Sequence, residues 1–224
     1  MTDDAARPPR RGAGRPRVAV LNRERITDEA LRLVDRKGAG ALTIQALADR
    51  LGVVPSAIYN HAASRAVILG WIQERLVREV DVSGFGPLPW RAATERWAWS
   101  YLRVLRAHRE CVAIYAHLPI RDTPEATQMY QRVIVGFQAA GFPPPEVFAS
   151  ISAIEQLVFG GAIDSLGPED VYAPEAPGIV AQAYALHRRR LVEERVLVAD
   201  RAFELALGLL LDGLAARYRI APAR

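Results

Sequence analysis

Apolar residues recur along this chain at helical spacing, and no segment shows the alternation of a strand. Ile26, Ala30, Leu33 and Val34 fall at i, i+4, i+7 and i+8, one stripe of a helix that Asn22 can cap and that Gly38 and Gly40 end. After Thr43, the next N-cap candidate, Ile44, Leu47, Ala48 and Leu51 repeat the stripe, and Gly52 stops this second helix after about two turns. Pro55 can only open a helix, because it has no N–H to donate and its ring fixes φ. That third helix is short, since Ser64 is a fresh N-cap for a longer one over 65–80 carrying Val67, Ile68, Trp71, Ile72, Leu76 and Val80. The run Ser83-Gly-Phe-Gly-Pro-Leu-Pro89 breaks the pattern. Beyond it the spacing predicts helices over 90–107, 109–118, 124–140, 145–164, 179–190 and 199–218. Pro119, Gly141-Phe-Pro-Pro-Pro145 and the proline-rich acidic loop Leu166–Gly178 separate them. The expected fold is all-α. A disordered arm (1–21) precedes a three-helix helix-turn-helix domain with its connecting helix (22–82), and a larger helical domain follows (83–224).

Composition narrows this without changing it. With 224 residues, half of them apolar, the chain can bury a full core. A single cysteine, Cys111, excludes an internal disulfide framework and any multi-cysteine zinc site. The two greasiest runs, 147–163 and 202–216, are cut by Glu155 and by Glu204 and Asp212, so no membrane-spanning helix is expected. The N-terminus lacks the apolar stretch of a signal peptide, and a cytoplasmic protein is expected.

Charge is placed rather than spread. Residues 1–65 hold twelve basic and seven acidic groups, a net +5, whereas 66–224 hold seventeen and eighteen, a net −1. Seven of those twelve are arginines within residues 1–25. Arginine supplies all the basic residues except Lys37, a bias that suits a GC-rich genome and carries no weight by itself. The arm is either a solvated tail or a minor-groove arm of the kind that flanks helix-turn-helix units.

Two short helices around a turn holding Gly52 make a helix-turn-helix, which presents its second helix to base edges in the major groove. In Pro55-Ser-Ala-Ile-Tyr-Asn-His61, Ile58 faces inward and the rest offers small or polar groups outward. Asn60 suits adenine, Ser56 a base or phosphate, and Ala57 a thymine methyl. Tyr59 and His61 are sized for phosphates, and Thr43 sets a hydroxyl and a helix N-terminus against another.

Arg25-Ile26, Ala30-Leu31, Gly38, Leu42-Thr43, Leu47-Ala48, Leu51-Gly52-Val53 and Ile58-Tyr59-Asn60-His61 together resemble the N-terminal domain of the TetR family of transcriptional repressors. The match spans about 22–69, three consecutive helices, and Phe203-Glu-Leu-Ala-Leu-Gly-Leu-Leu-Leu-Asp-Gly213 resembles the tetracycline-repressor-like C-terminal domain. Three positions depart from the family pattern. Val54 replaces a capping Ser or Thr, at a cost of about 1 kcal/mol that Pro55 partly offsets. Ala62 replaces an aromatic, and Arg65 replaces a Lys while keeping the charge for a phosphate. Carried over by position, Gln45 joins the base-contact candidates.

The resemblance further implies a dimer built as a four-helix bundle from helices 145–164 and 199–218. It implies release of a double-stranded, pseudo-palindromic operator by a small, largely apolar or aromatic effector, without a cofactor. Its ligand cavity would draw on Trp97, Tyr101, His108, Tyr115, Met129, Phe137, Glu155, Gln156 and Phe159, residues that ordinary core packing also explains. Glu155 and Gln156 are costly to bury unpaired, so each is solvated or meets a ligand or partner subunit. Gly136, Gly160 and Gly161 cost helix propensity and suggest close backbone approach. No catalytic constellation or metal set emerges; His108 and Cys111 read as a helix-end histidine beside a buried cysteine. The alternatives are a DNA-binding regulator without an inducer, or an all-α carrier or enzyme.

Overall fold

The computed structural model describes residues 21–112, 114, 123–164, 173–194 and 197–220. The arm expected over 1–21 lies, but for Leu21, outside them, as does Tyr115. Nine α-helices are found among the described residues: α1 (Arg23–Lys37), α2 (Ile44–Leu51), α3 (Pro55–Tyr59), α4 (Arg65–Val77), α5 (Trp90–Ala107), α6 (Pro124–Ala139), α7 (Val147–Asp164), α8 (Ile179–Glu194) and α9 (Val198–Tyr218). Three 3₁₀ turns join them, at Ala39–Ala41, Arg109–Cys111 and Pro144–Glu146. The described residues contain no strand, and the chain is all-α.

The caps written into the sequence are made. Asn22 Oδ1 accepts the Arg25 N–H at 2.8 Å, Thr43 Oγ1 accepts that of Ala46 at 3.0 Å, and Ser64 Oγ accepts that of Val67 at 3.4 Å, each satisfying a donor that the helix itself leaves unpaired. Gly52 ends α2 in the left-handed region (φ 69°), where a side chain would be strained. α3 has no side-chain cap at Val54 and opens on Pro55.

α1 packs on α2 and α4, α2 on α3, and α4 on α6; α7 lies against α5 and α9. One continuous hydrophobic core runs from Ile26 through Ile58, Ile72 and Trp97 to Leu214. Two of the glycines singled out above mark close approaches. A Cβ on Gly136 would meet the Phe85 ring at 2.4 Å, and one on Gly161 would meet Phe203 at 3.0 Å. Gly160 has open space, so its role there differs from the expectation.

Several element ends move. α4 stops at Val77 rather than Val80, because the chain turns toward α5, where Ser100 Oγ accepts the Asp81 N–H at 2.9 Å. α7 begins at Val147, since Pro144–Glu146 forms a 3₁₀ turn. α8 runs on to Glu194, whose carboxylate meets Arg190 one turn back at 2.8 Å. Of the helix expected over 109–118, Arg109–Cys111 is a 3₁₀ turn leading into helix at Val112, and most of the rest lies outside the described residues. Pro144–Asp164 is, by length and composition, apolar enough to cross a membrane, because one carboxylate in so long a helix does not disqualify it. Its packing on α5 and α9 gives that hydropathy a use inside the fold.

Candidate functional site

The α2–turn–α3 unit is rigid from beneath. Leu47, Ala48 and Ile58 are fully buried, and the Val53 N–H closes the turn on Ala48 O at 3.1 Å. Around Ile58 the short helix turns Ser56, Tyr59, Asn60 and His61 outward, with Pro55 and Ala57 partly covered. The Tyr59 ring is 54% exposed. Thr43 is exposed, and because its oxygen accepts in the cap, its own O–H remains available as a donor. Gln45 is exposed too, and its amide donates to Asp49 Oδ1 at 2.8 Å.

Arg65 has a task the sequence did not announce. Its guanidinium donates to Leu42 O and Ala39 O, both at 2.6 Å, tying the start of α4 to the turn before α2. Two of its five donors are used in this way. On the other side of the unit, Glu29 of α1 takes Arg50 of α2 and Arg32. Burial raises the Glu29 pKa, but the two guanidiniums outweigh it and hold the carboxyl below its ordinary value.

α4 carries this unit to the rest of the chain. Glu74, nearly inaccessible on α4, is paired by Arg23 of α1, whose guanidinium also lies 5.0 Å from the Trp71 ring. Arg78 reaches Glu125 of α6 at 2.6 Å. Beyond α4, Asp81 accepts from Ser83 and, at 2.6 Å, from Arg96; the Ser83 hydrogen bonds first and then the arginine hold its pKa at about 2. A second seam joins α1 directly to the end of α5: His108 Nδ1 faces both Asp35 oxygens at 3.0 and 3.1 Å. Cys111, fully buried beside it, has its thiol pushed up to about 12 by burial and then by the Asp35 and Glu110 carboxylates. A thiol held protonated is neither a nucleophile nor a ready metal ligand.

The expected effector residues separate into three groups. Trp97, Tyr101, Met129 and Phe137 are buried where α5, α6 and α7 meet, and Trp97–Tyr101 (6.1 Å between centroids) and Tyr101–Phe159 (5.9 Å) extend into one aromatic column. Within it the Trp97 indole N–H is buried with no acceptor among the described residues. Glu155 is neither solvated nor free: Tyr130 Oη donates to it at 2.5 Å, and burial raises its pKa despite that bond. Tyr130 is the partner that the sequence did not reveal, and its position facing Glu155 across two helices could not be read from spacing. Gln156 is exposed on the outer side of α7, and His108 is engaged by Asp35 away from the column. Tyr115 lies outside the described residues. A groove of about 480 Å³ opens on another side of α6, lined by Phe85, Trp90 and Arg132 among others, and none of the expected effector residues borders it.

A short outward-facing helix on a braced three-helix unit, joined by one helix to an all-α body, defines a helix-turn-helix transcriptional regulator. Residues 26–70 match the family model for bacterial regulatory proteins of the tetR family, and residues 87–218 match the tetracyclin repressor-like C-terminal domain. The chain belongs to the TetR family of transcriptional regulators. Among its relatives, the class A tetracycline repressor protein of Escherichia coli transposon 1721 is 28% identical over 209 residues, 89% of this chain and 93% of that one. An HTH-type transcriptional regulator of Saccharopolyspora erythraea is 26% identical over 170 residues, 76% of this chain and 70% of that one. Among solved structures, ActR of Streptomyces coelicolor in complex with actinorhodin superposes with a TM-score of 0.70 at 24% identity, covering 89% of this chain and 99% of that one. A TetR variant of Acinetobacter baumannii in complex with minocycline gives 0.73 at 22% identity, covering 92% and 98%. At these identities the structural likeness speaks for the fold.

Proposed function

We propose that this protein is a cytoplasmic, dimeric repressor that binds a pseudo-palindromic DNA operator and releases it when a small, largely apolar or aromatic molecule binds. The observation that carries the reading is α3: a five-residue helix pinned by one fully buried side chain, Ile58, and turning Ser56, Tyr59, Asn60 and His61 outward. In this reading residues 22–82 form the DNA reader and 83–224 the regulatory body. Asn60, Ser56, Ala57 and Gln45 face bases, while Thr43, Tyr59, His61 and Arg65 meet phosphates, with Pro55 setting the start of the helix. Phosphate contacts fix register and base contacts give preference.

Dimerisation through α7 and α9 is supported by their outward apolar side chains: Phe148, Ile163, Leu205 and Leu209 are each more than half exposed in one chain. A dimer would set two α3 helices about one DNA turn, ~34 Å, apart. The effector would enter the aromatic column of Trp97, Tyr101, Met129, Phe137 and Phe159 and shift α4 through α6. Moving the DNA-competent population from 99:1 to 1:99 requires a preference of about 5.5 kcal/mol for the released state.

The test is a gel-shift titration of the DNA upstream of its own gene. Wild type should retard it, and the Tyr59→Ala, His61→Ala double variant should not; equal retardation would remove the assignment. A second reading, a regulator without an inducer, draws on the mutual packing of Trp97, Tyr101 and Phe159. Mass spectrometry of the natively purified protein separates the two readings, because a co-purifying small molecule favours the first.

A further inference from the structure

We propose that the groove on the outer side of α6 is a second small-molecule site, which takes an aromatic carboxylate. Met129, Val133 and Phe137 point one face of α6 into the core, whereas Gln128, Gln131, Arg132, Val135 and Ala139 lie along the opposite side. The loop between α4 and α5 closes over that side. An edge of the Phe85 ring points at Gly136, where a Cβ would meet it at 2.4 Å, so this glycine is what lets the loop come down. The space left is about 480 Å³, within the range of small-molecule sites.

The chemistry of the walls names the occupant. Phe85, Leu88, Trp90 and Val135 give an apolar lining, and Val135 is more than half exposed among the described residues. Arg132 is the only charged residue in the lining, and no carboxylate among the described residues pairs with it, in contrast to Arg78, Arg91 and Arg96 nearby. The Trp90 indole N–H is buried without an acceptor among the described residues. A flat apolar body would stack on the Trp90 and Phe85 side while its carboxylate takes the Arg132 guanidinium, a charge-assisted pair with bidentate geometry. Such a ligand touches the connection between α4 and α5 without entering the aromatic column. Phe85 and Trp90 line the groove on one side and pack against Trp97 and Phe137 of that column on the other.

Calorimetric titration of the full-length protein with 1-naphthoate and with its neutral counterpart 1-naphthylmethanol tests this, with no DNA present. Wild type should bind the acid at least about tenfold more tightly than the alcohol. Arg132→Gln should erase that preference while leaving the alcohol's affinity unchanged. Ala139→Trp, a substitution at an exposed position that fills the groove, should weaken both ligands about tenfold or more. If Ala139→Trp lowers the melting temperature, Val135→Glu serves instead, by setting a like charge on the floor. Naphthoate that does not bind wild type, or that binds both variants as it binds wild type, overturns the proposal.

Discussion

Single side chains in this protein are set to their tasks by what they touch. Asn60 stands in solvent at the end of α3, so its removal should leave the fold intact and act on DNA alone. Asn60→Ala is expected to cost about 1–3 kcal/mol on the operator and much less on unrelated DNA, measured by titrating both at one salt concentration. Equal losses on both would make Asn60 a backbone contact. Cys111 is the opposite case, a group silenced by its surroundings. With its thiol pushed up to about 12, it should resist a disulfide reagent in the native state and react only as fast as the protein unfolds, followed by absorbance with and without denaturant. Both placements were legible in the sequence, the exposure of Asn60 from its position beside an inward Ile58 and the burial of Cys111 from its isolation. Arg65 was only half legible. Its charge pointed to phosphate, but its two carbonyl acceptors, Ala39 and Leu42, belong to a turn over twenty positions back and form only when α4 folds onto it.

At the scale of elements, the caps and breakers were read correctly because their physics is local. Asn22, Thr43 and Ser64 satisfy donors three residues ahead, and Gly52 takes a conformation that other residues avoid. Helix ends set by distant contacts were misplaced, as α4 shows where Ser100 takes the Asp81 N–H. The α6–α7 pair holds a contact that helical spacing could not foretell, Tyr130 with Glu155, and its consequence is a pH dependence. A carboxyl with a raised pKa binds its proton more tightly folded than unfolded. Its contribution to stability is therefore complete below the ordinary 4.5 and is lost as the pH climbs through the raised value. Glu155→Gln removes that loss. The melting temperature of the variant relative to wild type should therefore rise with pH, and a difference that stays flat from acid to neutral would show that Glu155 ionises freely.

For the whole molecule, the body was harder to read than the reader. Helices 145–164 and 199–218 were found from apolar content, but content does not say which faces meet within the chain and which face outward. The structure divides them: Ile151, Ile154 and Val158 of α7 are buried, and Phe148 and Ile163 are not. Leu209→Glu places a charge on the outward face of α9 without touching the core. It should convert the proposed dimer to a folded monomer by light scattering and abolish operator retardation, since one half-site alone holds weakly. A variant that stays dimeric would move the interface elsewhere.

That outward face also makes abundance matter. If Phe148, Leu205 and Leu209 leave water only when a second chain arrives, the melting temperature rises with protein concentration. Where free chains predominate, halving the number of copies in a cell lowers the assembled form roughly fourfold. A modest change in synthesis would then be felt at the DNA as a large one, before any small molecule is involved.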